Sequence, residues 1–153
     1  MKVIFLDFDG VLITLNSWRN AHSGEVARVA DPGCVEALNR IITETDARIV
    51  VSSSWRGKFV APMREHLSNW GVKAKVIGVT PRLERQVGLL VAAKTRGDEI
   101  QAWLDSARDI DSFVIIDDES DMAHLAHRLV QTTYESGLTT EHTERAIKML
   151  TEL

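Results

Sequence analysis

Cysteine and long apolar runs are scarce in this sequence of 153 residues. Cys34 is the single cysteine, which excludes an intramolecular disulfide and a cysteine-rich zinc site. No stretch reaches the ~18 apolar residues of a membrane-spanning helix, because Asp7, Asp9 and Gly10 interrupt the apolar start. We therefore expect no signal peptide and no membrane contact, and we expect a cytoplasmic protein.

The sequence also has no excess of positive charge, because it contains 18 Lys and Arg and 22 Asp and Glu, a formal net charge of −4. This balance disfavours a protein whose main task is to coat nucleic acid, although it is compatible with a local basic rim. The absence of a Gly-x-x-x-x-Gly-Lys-Ser/Thr loop disfavours a P-loop kinase. Length and an ordinary globular composition predict a single domain over residues 1–153.

Short β-branched runs alternate with helical periods along the chain, a pattern typical of βαβ units. The predicted strands are Val3–Leu6, Arg48–Val51, Ala74–Ile77, Ser112–Ile116 and Arg128–Gln131. Right-handed crossovers place helices on both faces of such a sheet. The predicted fold class is α/β, a three-layer Rossmann-like fold with a central parallel five-stranded sheet.

Cap residues and apolar stripes indicate the helices between these strands. Asp31-Pro32 predicts one helix start, and Gly71 ends a helix that follows strand two. The clearest helix repeats apolar residues at Ile100, Trp103, Leu104 and Ala107. A further helix is expected after Asp121, and Thr139 or Thr140 should cap the last one.

Polar residues follow three of the predicted strands directly. Strand one runs into Asp7-Phe8-Asp9-Gly10, strand two into Ser52-Ser53-Ser54, and strand four into Asp117-Asp118-Glu119-Ser120-Asp121. In open α/β sheets ligands bind outside the carboxyl ends of the strands, so these side chains should share one edge. An isolated Asp-x-Asp is often only a turn, but two further polar strand ends favour a site.

Clustered carboxylates repel one another unless a cation or a proton intervenes. An all-oxygen set suits Mg²⁺, and a bound cation keeps an aspartate ionised so that it can attack phosphorus. The side chain of Asp9 reaches the same site as that of Asp7 only if the chain turns after the strand, which Gly10 permits.

The phosphate contacts each have two candidates. Ser52 ends strand two and is the first choice as donor to a phosphate oxygen, with Ser53 second, because a serine run is also a plausible turn. The cation that balances phosphoryl charge is sought at Lys94 or Arg96, at the start of a helix whose backbone N–H groups favour an anion.

In this order, Asp7-Phe8-Asp9-Gly10-Val11, the serine of strand two, the basic residue before Gly97 and the acidic cluster Asp117–Asp121 resemble the four motifs of haloacid dehalogenase-like (HAD) hydrolases. The segments Ser-Ser-Ser-Trp-Arg, Arg-Gly-Asp-Glu-Ile and Ile-Asp-Asp are similar to small HAD domains of nucleic-acid repair proteins. The resemblance implies a Mg²⁺-dependent phosphatase acting through an aspartyl-phosphate.

The resemblance also implies a role for each motif residue. Asp7 would be the nucleophile, and Asp9 would protonate the leaving oxygen and then activate water. Ser52 would hold the phosphate and Arg96 would replace the family's lysine, with Lys94 as the alternative. The Mg²⁺ ligands would be Asp7, the carbonyl of Asp9, Asp117, and either Asp118 or Asp121.

The segments Ile13–Ala30 and Gly78–Thr95 are too short for a large cap domain, so the site should be open to a nucleotide or polynucleotide end or to a phosphoprotein. Candidate rim residues are Trp18, Arg19, Trp55, Arg56, Lys58, Arg82 and Arg85, although tryptophan is more often core and arginine more often solvated surface. A non-catalytic phospho-acceptor or metal-binding module resembling a receiver domain is the alternative, and it would need no acid two residues after the acceptor aspartate.

Overall fold

A computed structural model of the protein describes residues 1–20, 29–87 and 90–152, with the side chains of Asn20, 84–87 and 90–93 left out. Its centre is a five-stranded parallel sheet of β1 (Lys2–Leu6), β2 (Arg48–Val51), β3 (Val76–Val79), β6 (Ser112–Asp117) and β7 (Leu129–Gln131). The order of the strands across the sheet is β3-β2-β1-β6-β7. The predicted α/β class is confirmed.

Helices cover both faces of this sheet. They are α1 (Leu15–Asn20), α2 (Pro32–Thr45), α3 (Ala61–Asn69), α4 (Arg96–Ser106) and α5 (Thr140–Thr151), with a 3₁₀ helix at Ala123–Arg128. Side chains of β1 alternate between two cores, Ile4 and Leu6 facing α2, α3 and α5, and Val3 and Phe5 facing α4 and the 3₁₀ helix. Burial on both faces explains why the central strands read as continuous apolar runs.

The predicted caps form with side-chain hydrogen bonds to the first turn of each helix. Asp31 accepts from the Gly33 amide at 2.9 Å, and Pro32 opens α2. Thr139, rather than Thr140, caps α5 in a reciprocal pair with His142. Thr95 forms the same kind of capping box with Asp98 at the start of α4, which fixes the helix that carries Arg96.

Two predicted elements differ in the structure. Strand Ala74–Ile77 is formed two residues later, because pairing with β2 sets Val76 opposite Ile49 and Val79 opposite Val51. The helix expected after Asp121 is a 3₁₀ helix that follows Met122.

Two short elements were not predicted. They are α1 and an antiparallel hairpin of β4 (Glu84–Val87) and β5 (Leu90–Ala93). Both are small insertions, which agrees with the expectation that no large cap domain is present. In the described ranges no helix is long and apolar enough to cross a membrane.

Candidate active site

The carboxyl ends of β2, β1 and β6 bring one polar residue each into line. Leu6 pairs with Val51 and with Ile116, so the next residues along the three strands are Ser52, Asp7 and Asp117. Backbone bonds continue this register, since the Ser52 amide donates to the Leu6 carbonyl at 2.8 Å and the Asp7 amide to the Ile116 carbonyl at 3.1 Å. Paired residues of parallel strands point to the same side, so three functional side chains meet at one place.

A tight turn follows β1 and brings Asp9 back toward the strand ends. The Phe8 carbonyl accepts from the amides of Leu12 and Ile13, both at 2.9 Å. Gly10 adopts a left-handed φ of +82°, and a Cβ at this position would overlap the Asp118 carboxylate. Glycine is therefore needed here for its conformation and for the space it leaves to Asp118.

Three carboxylates converge beside this turn. One oxygen each from Asp7, Asp117 and Asp118 lies within 4.8 Å of the others. Asp7 and Asp117 are almost fully buried, whereas Asp118 is half-buried. The cluster offers oxygen ligands alone from one side of the site, which is the donor chemistry that Mg²⁺ prefers.

Arg96 supplies positive charge to the two buried members of the cluster. Its Nη1 lies 2.8 Å from Asp117 Oδ2 and 3.3 Å from Asp7 Oδ1. Lys94, the alternative cation, has an exposed side chain, and its backbone amide donates to the Leu83 carbonyl. Of the two candidates, Arg96 is the one that the structure brings to Asp7.

Burial raises the pKa of Asp7 to about 8, with a further rise from the negative charge of Asp117 and an opposing effect from Arg96. Burial also raises the pKa of Asp117, against the lowering effect of Arg96. Burial thus opposes ionisation of both carboxylates, and the guanidinium of Arg96 offsets this effect only in part. A divalent cation at the same oxygens would favour the ionised forms, so the donor set fits a metal on charge as well as on ligand type.

Asp121 has a different position from that of Asp118. Its Oδ2 accepts from the Arg96 amide at 3.3 Å, and its carbonyl accepts from the Gly97 amide at 3.1 Å. Asp121 thus satisfies free amides of the first turn of α4 and lies outside the three-carboxylate cluster. The structure brings Asp118, and not Asp121, together with Asp7 and Asp117.

The carboxylate of Asp9 points to an aromatic group. Its Oδ2 accepts a hydrogen bond of 2.8 Å from the indole Nε1 of Trp55. The Trp55 ring packs edge-to-face on Phe8 and on Trp70, at centroid distances of 5.7 Å in both cases. A residue of the turn after β2 therefore fixes the side chain of Asp9.

The two candidate serines also differ. Ser52 Oγ is fully buried and has no hydrogen-bond partner among the described residues. Ser53 Oγ accepts from the Trp55 amide at 3.2 Å, and its carbonyl accepts from Arg56. Ser53 thus forms the turn, and Ser52 is the serine with a free hydroxyl beside Asp7. A buried hydroxyl without a hydrogen-bond partner lowers the stability of the folded protein, which is expected of a group whose partner is a bound ligand.

A sequence profile of the family described as "HAD domain in Swiss Army Knife RNA repair proteins" matches residues 3–143. The chain belongs to this family. No curated protein and no solved structure gives a significant match to it. Membership indicates a hydrolase of the phosphatase type, and HAD enzymes typically use metal ions, for which the carboxylate cluster offers ligands.

One rim residue expected in this HAD domain is placed differently. Arg56 is buried rather than at the rim, and it donates to the carbonyls of Thr80 and Ser53, both at 2.8 Å. Its Nη2 also forms an ion pair of 2.8 Å with Glu99 of α4. The guanidinium thus joins the ends of β2 and β3 to α4, which explains its burial.

The other rim candidates differ in the exposure of their side chains. Trp18, Lys58 and Arg82 are exposed, and Trp55 is half-buried. The side chain of Arg85 lies outside the described residues.

Thr80 is a site candidate that the sequence reasoning missed. It follows β3 in line with Ser52, because Val79 pairs with Val51. Its Oγ1 is buried and, like Ser52 Oγ, has no hydrogen-bond partner in the described part of the chain. The signal in the sequence is a hydroxyl residue directly after the apolar run of an adjacent strand, the same signal that singled out Ser52.

Proposed function

We propose that this HAD domain is a Mg²⁺-dependent phosphomonoester hydrolase that acts through an aspartyl-phosphate. The observation that carries the proposal is the alignment of Asp7 with an unpartnered buried hydroxyl on one side and a second carboxylate on the other. Arg96 bridges the two carboxylates. These groups supply a nucleophile, a hydroxyl that can donate a hydrogen bond to the phosphate, and a cation, all at the same end of the sheet.

In the first step a carboxylate oxygen of Asp7 attacks phosphorus while the bond from phosphorus to the ester oxygen breaks. Asp9 gives its proton to that leaving oxygen, so an alcohol departs. In the second step water attacks the same phosphorus, Asp9 takes the proton of the water, and the bond from phosphorus to Asp7 breaks. Inorganic phosphate leaves, and both aspartates return to their initial states.

Asp7, Asp117 and Asp118 would hold Mg²⁺, with the carbonyl of Asp9 as a further ligand. The ion would neutralise charge on the phosphoryl oxygens and keep Asp7 ionised. Ser52 would donate to a phosphoryl oxygen, and Arg96 would stabilise the charge of the transferring group. Ser53 and Asp121 are assigned to the supporting turn and to the start of α4.

We propose a terminal phosphate of a nucleotide or polynucleotide as the substrate. The family description refers to RNA repair proteins, which supports a nucleic-acid end. The described insertions after β1 and β3 are a six-residue helix and a hairpin of four-residue strands, and such short elements support a large substrate rather than one enclosed by a cap domain.

The test is phosphate release from nucleotides, from oligonucleotides with a 5′ or 3′ phosphate and from sugar phosphates, each with Mg²⁺ and with a chelator. Many turnovers are expected with Mg²⁺ and none in the chelator. A protein that takes up one phosphate and stops would be a phospho-acceptor module instead.

Asp118→Asn isolates the metal site, with Glu119→Gln as its matched control. Both substitutions remove one negative charge from the same loop, but Glu119 is exposed and lies outside the carboxylate cluster. Asp118→Asn should raise the Mg²⁺ concentration that gives half-maximal activity by about 10-fold or more. Glu119→Gln should change it little, and equal effects of the two variants would contradict the ligand assignment.

A further inference from the structure

The exposed tryptophan, phenylalanine and tyrosine rings of the described residues all follow the carboxyl ends of strands of the parallel sheet, the edge that carries the candidate active site. They are Trp18, Phe59 and Tyr134, with 45%, 75% and 39% of their surface accessible. Each lies in a segment that follows the carboxyl end of a parallel strand, β1, β2 and β7 respectively. The remaining phenylalanines and tryptophans are buried or half-buried. Of the three, Trp18 and Tyr134 lie in segments that are bonded to each other and can form one continuous apolar surface, the kind of exposed surface that marks a binding site.

Backbone contacts place Trp18 and Tyr134 beside the turn that carries Asp9. The Leu15 amide, at the start of the helix containing Trp18, donates to the Tyr134 carbonyl at 3.1 Å. The loop of Tyr134 is held to the turn by a 2.6 Å bond from Thr132 Oγ1 to the Gly10 carbonyl. The two rings therefore belong to segments that are tied to each other and to the site.

Electrostatic contacts agree with this placement. Partial burial raises the pKa of the Tyr134 hydroxyl, and the nearby negative charges of Asp9 and Asp118 raise it further. A hydrogen bond with the Trp18 side chain acts in the opposite direction. Tyr134 thus interacts both with the Trp18 side chain and with the charges of Asp9 and Asp118.

We propose that Trp18 and Tyr134 form a stacking surface for the nucleobase next to the phosphate that is removed. This inference rests on the proposed phosphatase function and adds the group that selects the substrate. A base offers a flat π-face to an exposed indole or phenol ring, whereas a sugar phosphate offers none. The surface therefore accepts single-stranded nucleic-acid ends and has little preference among bases.

The test compares two oligonucleotides that differ only at the phosphorylated terminal nucleotide, which is either normal or abasic. The measured quantity is the ratio of kcat/KM for the normal end to kcat/KM for the abasic end. Stacking on aromatic side chains predicts a wild-type ratio of about 5 to 150. Parallel series with 5′ and 3′ phosphates show which end is used.

Trp18→Ala and Tyr134→Ala should each lower this ratio toward one, and Trp18→Phe and Tyr134→Phe should retain most of it. Phe59→Ala is the matched control, because Phe59 is an exposed ring at the same edge but follows β2. It should leave the ratio near the wild-type value. A fall as large as that of Trp18→Ala would overturn the assignment to the Trp18–Tyr134 pair.

The wild-type result by itself separates failure of this inference from failure of the proposed function. Equal kcat/KM values for the normal and the abasic terminal nucleotide would overturn the stacking surface and leave the phosphatase function intact. Hydrolysis of no phosphomonoester in the screen would overturn the function on which the inference rests. The wild-type ratio needs no variant, so the inference stays testable even where an alanine variant does not fold.

Discussion

Two carboxylates at the carboxyl end of the sheet are buried, whereas the cations at the amino end are in contact with solvent. At the carboxyl end, Asp7 and Asp117 are buried side by side and share one guanidinium. At the amino end, a cavity of about 650 Å³ is lined by cations whose side chains are half-buried or exposed, namely Arg48, Arg64, Lys73 and Lys75. The cations at the amino end thus stay in contact with solvent, whereas Asp7 and Asp117 at the carboxyl end are almost fully buried.

Contacts at the amino end explain the difference. Arg64 Nε donates to the Val76 carbonyl at 2.8 Å, and the Lys73 amide donates to Asn39 at 2.8 Å. These bonds close the loop before β3, and solvent can hydrate the lysine charges. At the carboxyl end, water is excluded from Asp7 and Asp117, and raised pKa values are the consequence. Buried carboxylates with raised pKa values mark the candidate site.

The sharpest test of this comparison is the same substitution at both ends. Asp7→Asn should lower kcat by at least about 10³-fold, because the amide is a far weaker nucleophile of nearly the same shape. Asp46→Asn, at the amino-end cavity, should leave kcat near the wild-type value, since asparagine also accepts the left-handed φ of 55° found there. Steady-state phosphate release measures both. Activity of Asp7→Asn above a few per cent would contradict the covalent mechanism.

Arg96 gives the next largest effect. Arg96→Ala should lower kcat by about 10²–10³-fold and change KM less, because the cation stabilises charge that develops in the transition state. Arg96→Lys should recover part of the rate, because the ammonium group restores the positive charge but not the two-point hydrogen bonding of the guanidinium. Lys94→Ala should be mild, because Lys94 is exposed. The opposite ranking of the two alanine variants would make Lys94 the phosphate-binding cation.

A smaller effect is expected for Trp55, which holds the Asp9 carboxylate. Trp55→Phe should lower kcat/KM by about 10-fold for alkyl phosphates, whose poor leaving groups need the proton of Asp9. The loss should be smaller for p-nitrophenyl phosphate, whose leaving group needs little protonation. Trp70→Phe, in the same aromatic cluster, is the control for packing. Equal losses of Trp55→Phe on both substrates would show a structural role only.

The last prediction concerns the stability of the protein without metal, a readout that does not depend on activity. The pKa of Asp7 is about 8 in the folded protein against 3.8 for an ordinary aspartate, so the folded state binds this proton more tightly. The linked stabilisation is complete below about pH 4 and is lost as the pH rises to about 8. Because of this proton, we expect the Tm of the wild-type protein in chelator to fall as the pH rises from 5 to 8. The fall should be less steep for Asp7→Asn, and also less steep for the wild type when Mg²⁺ is present. A slope that is identical in Asp7→Asn would contradict the raised pKa.

Much of the site could be predicted from the sequence because parallel strands place their carboxyl ends together. Asp7, Ser52 and Asp117 each follow an apolar run directly, so strand register alone aligns them. The choice between Asp118 and Asp121 could not be predicted. It depends on the space that Gly10 leaves for Asp118 and on the amides of α4 that Asp121 satisfies.

Long-range contacts limited the prediction elsewhere. Arg56 appears as a rim residue in the sequence, but its burial depends on Glu99 and on carbonyls at the ends of two strands. The hairpin of β4 and β5 was missed because Glu84–Val87 contains a single apolar residue and so shows neither an apolar run nor an apolar–polar alternation. Trp55 was a rim candidate, and its bond to Asp9 requires the turn after β1.

The close packing of Gly97 sets a length tolerance for the loop after β6. A Cβ on Gly97 would overlap the Met122 carbonyl, so the start of α4 lies directly against that loop. The loop therefore acts as a spacer of fixed length between the carboxylates and Arg96. One residue inserted between Glu119 and Asp121 would displace the guanidinium from Asp117. Homologous sequences should accordingly keep the length of this loop constant.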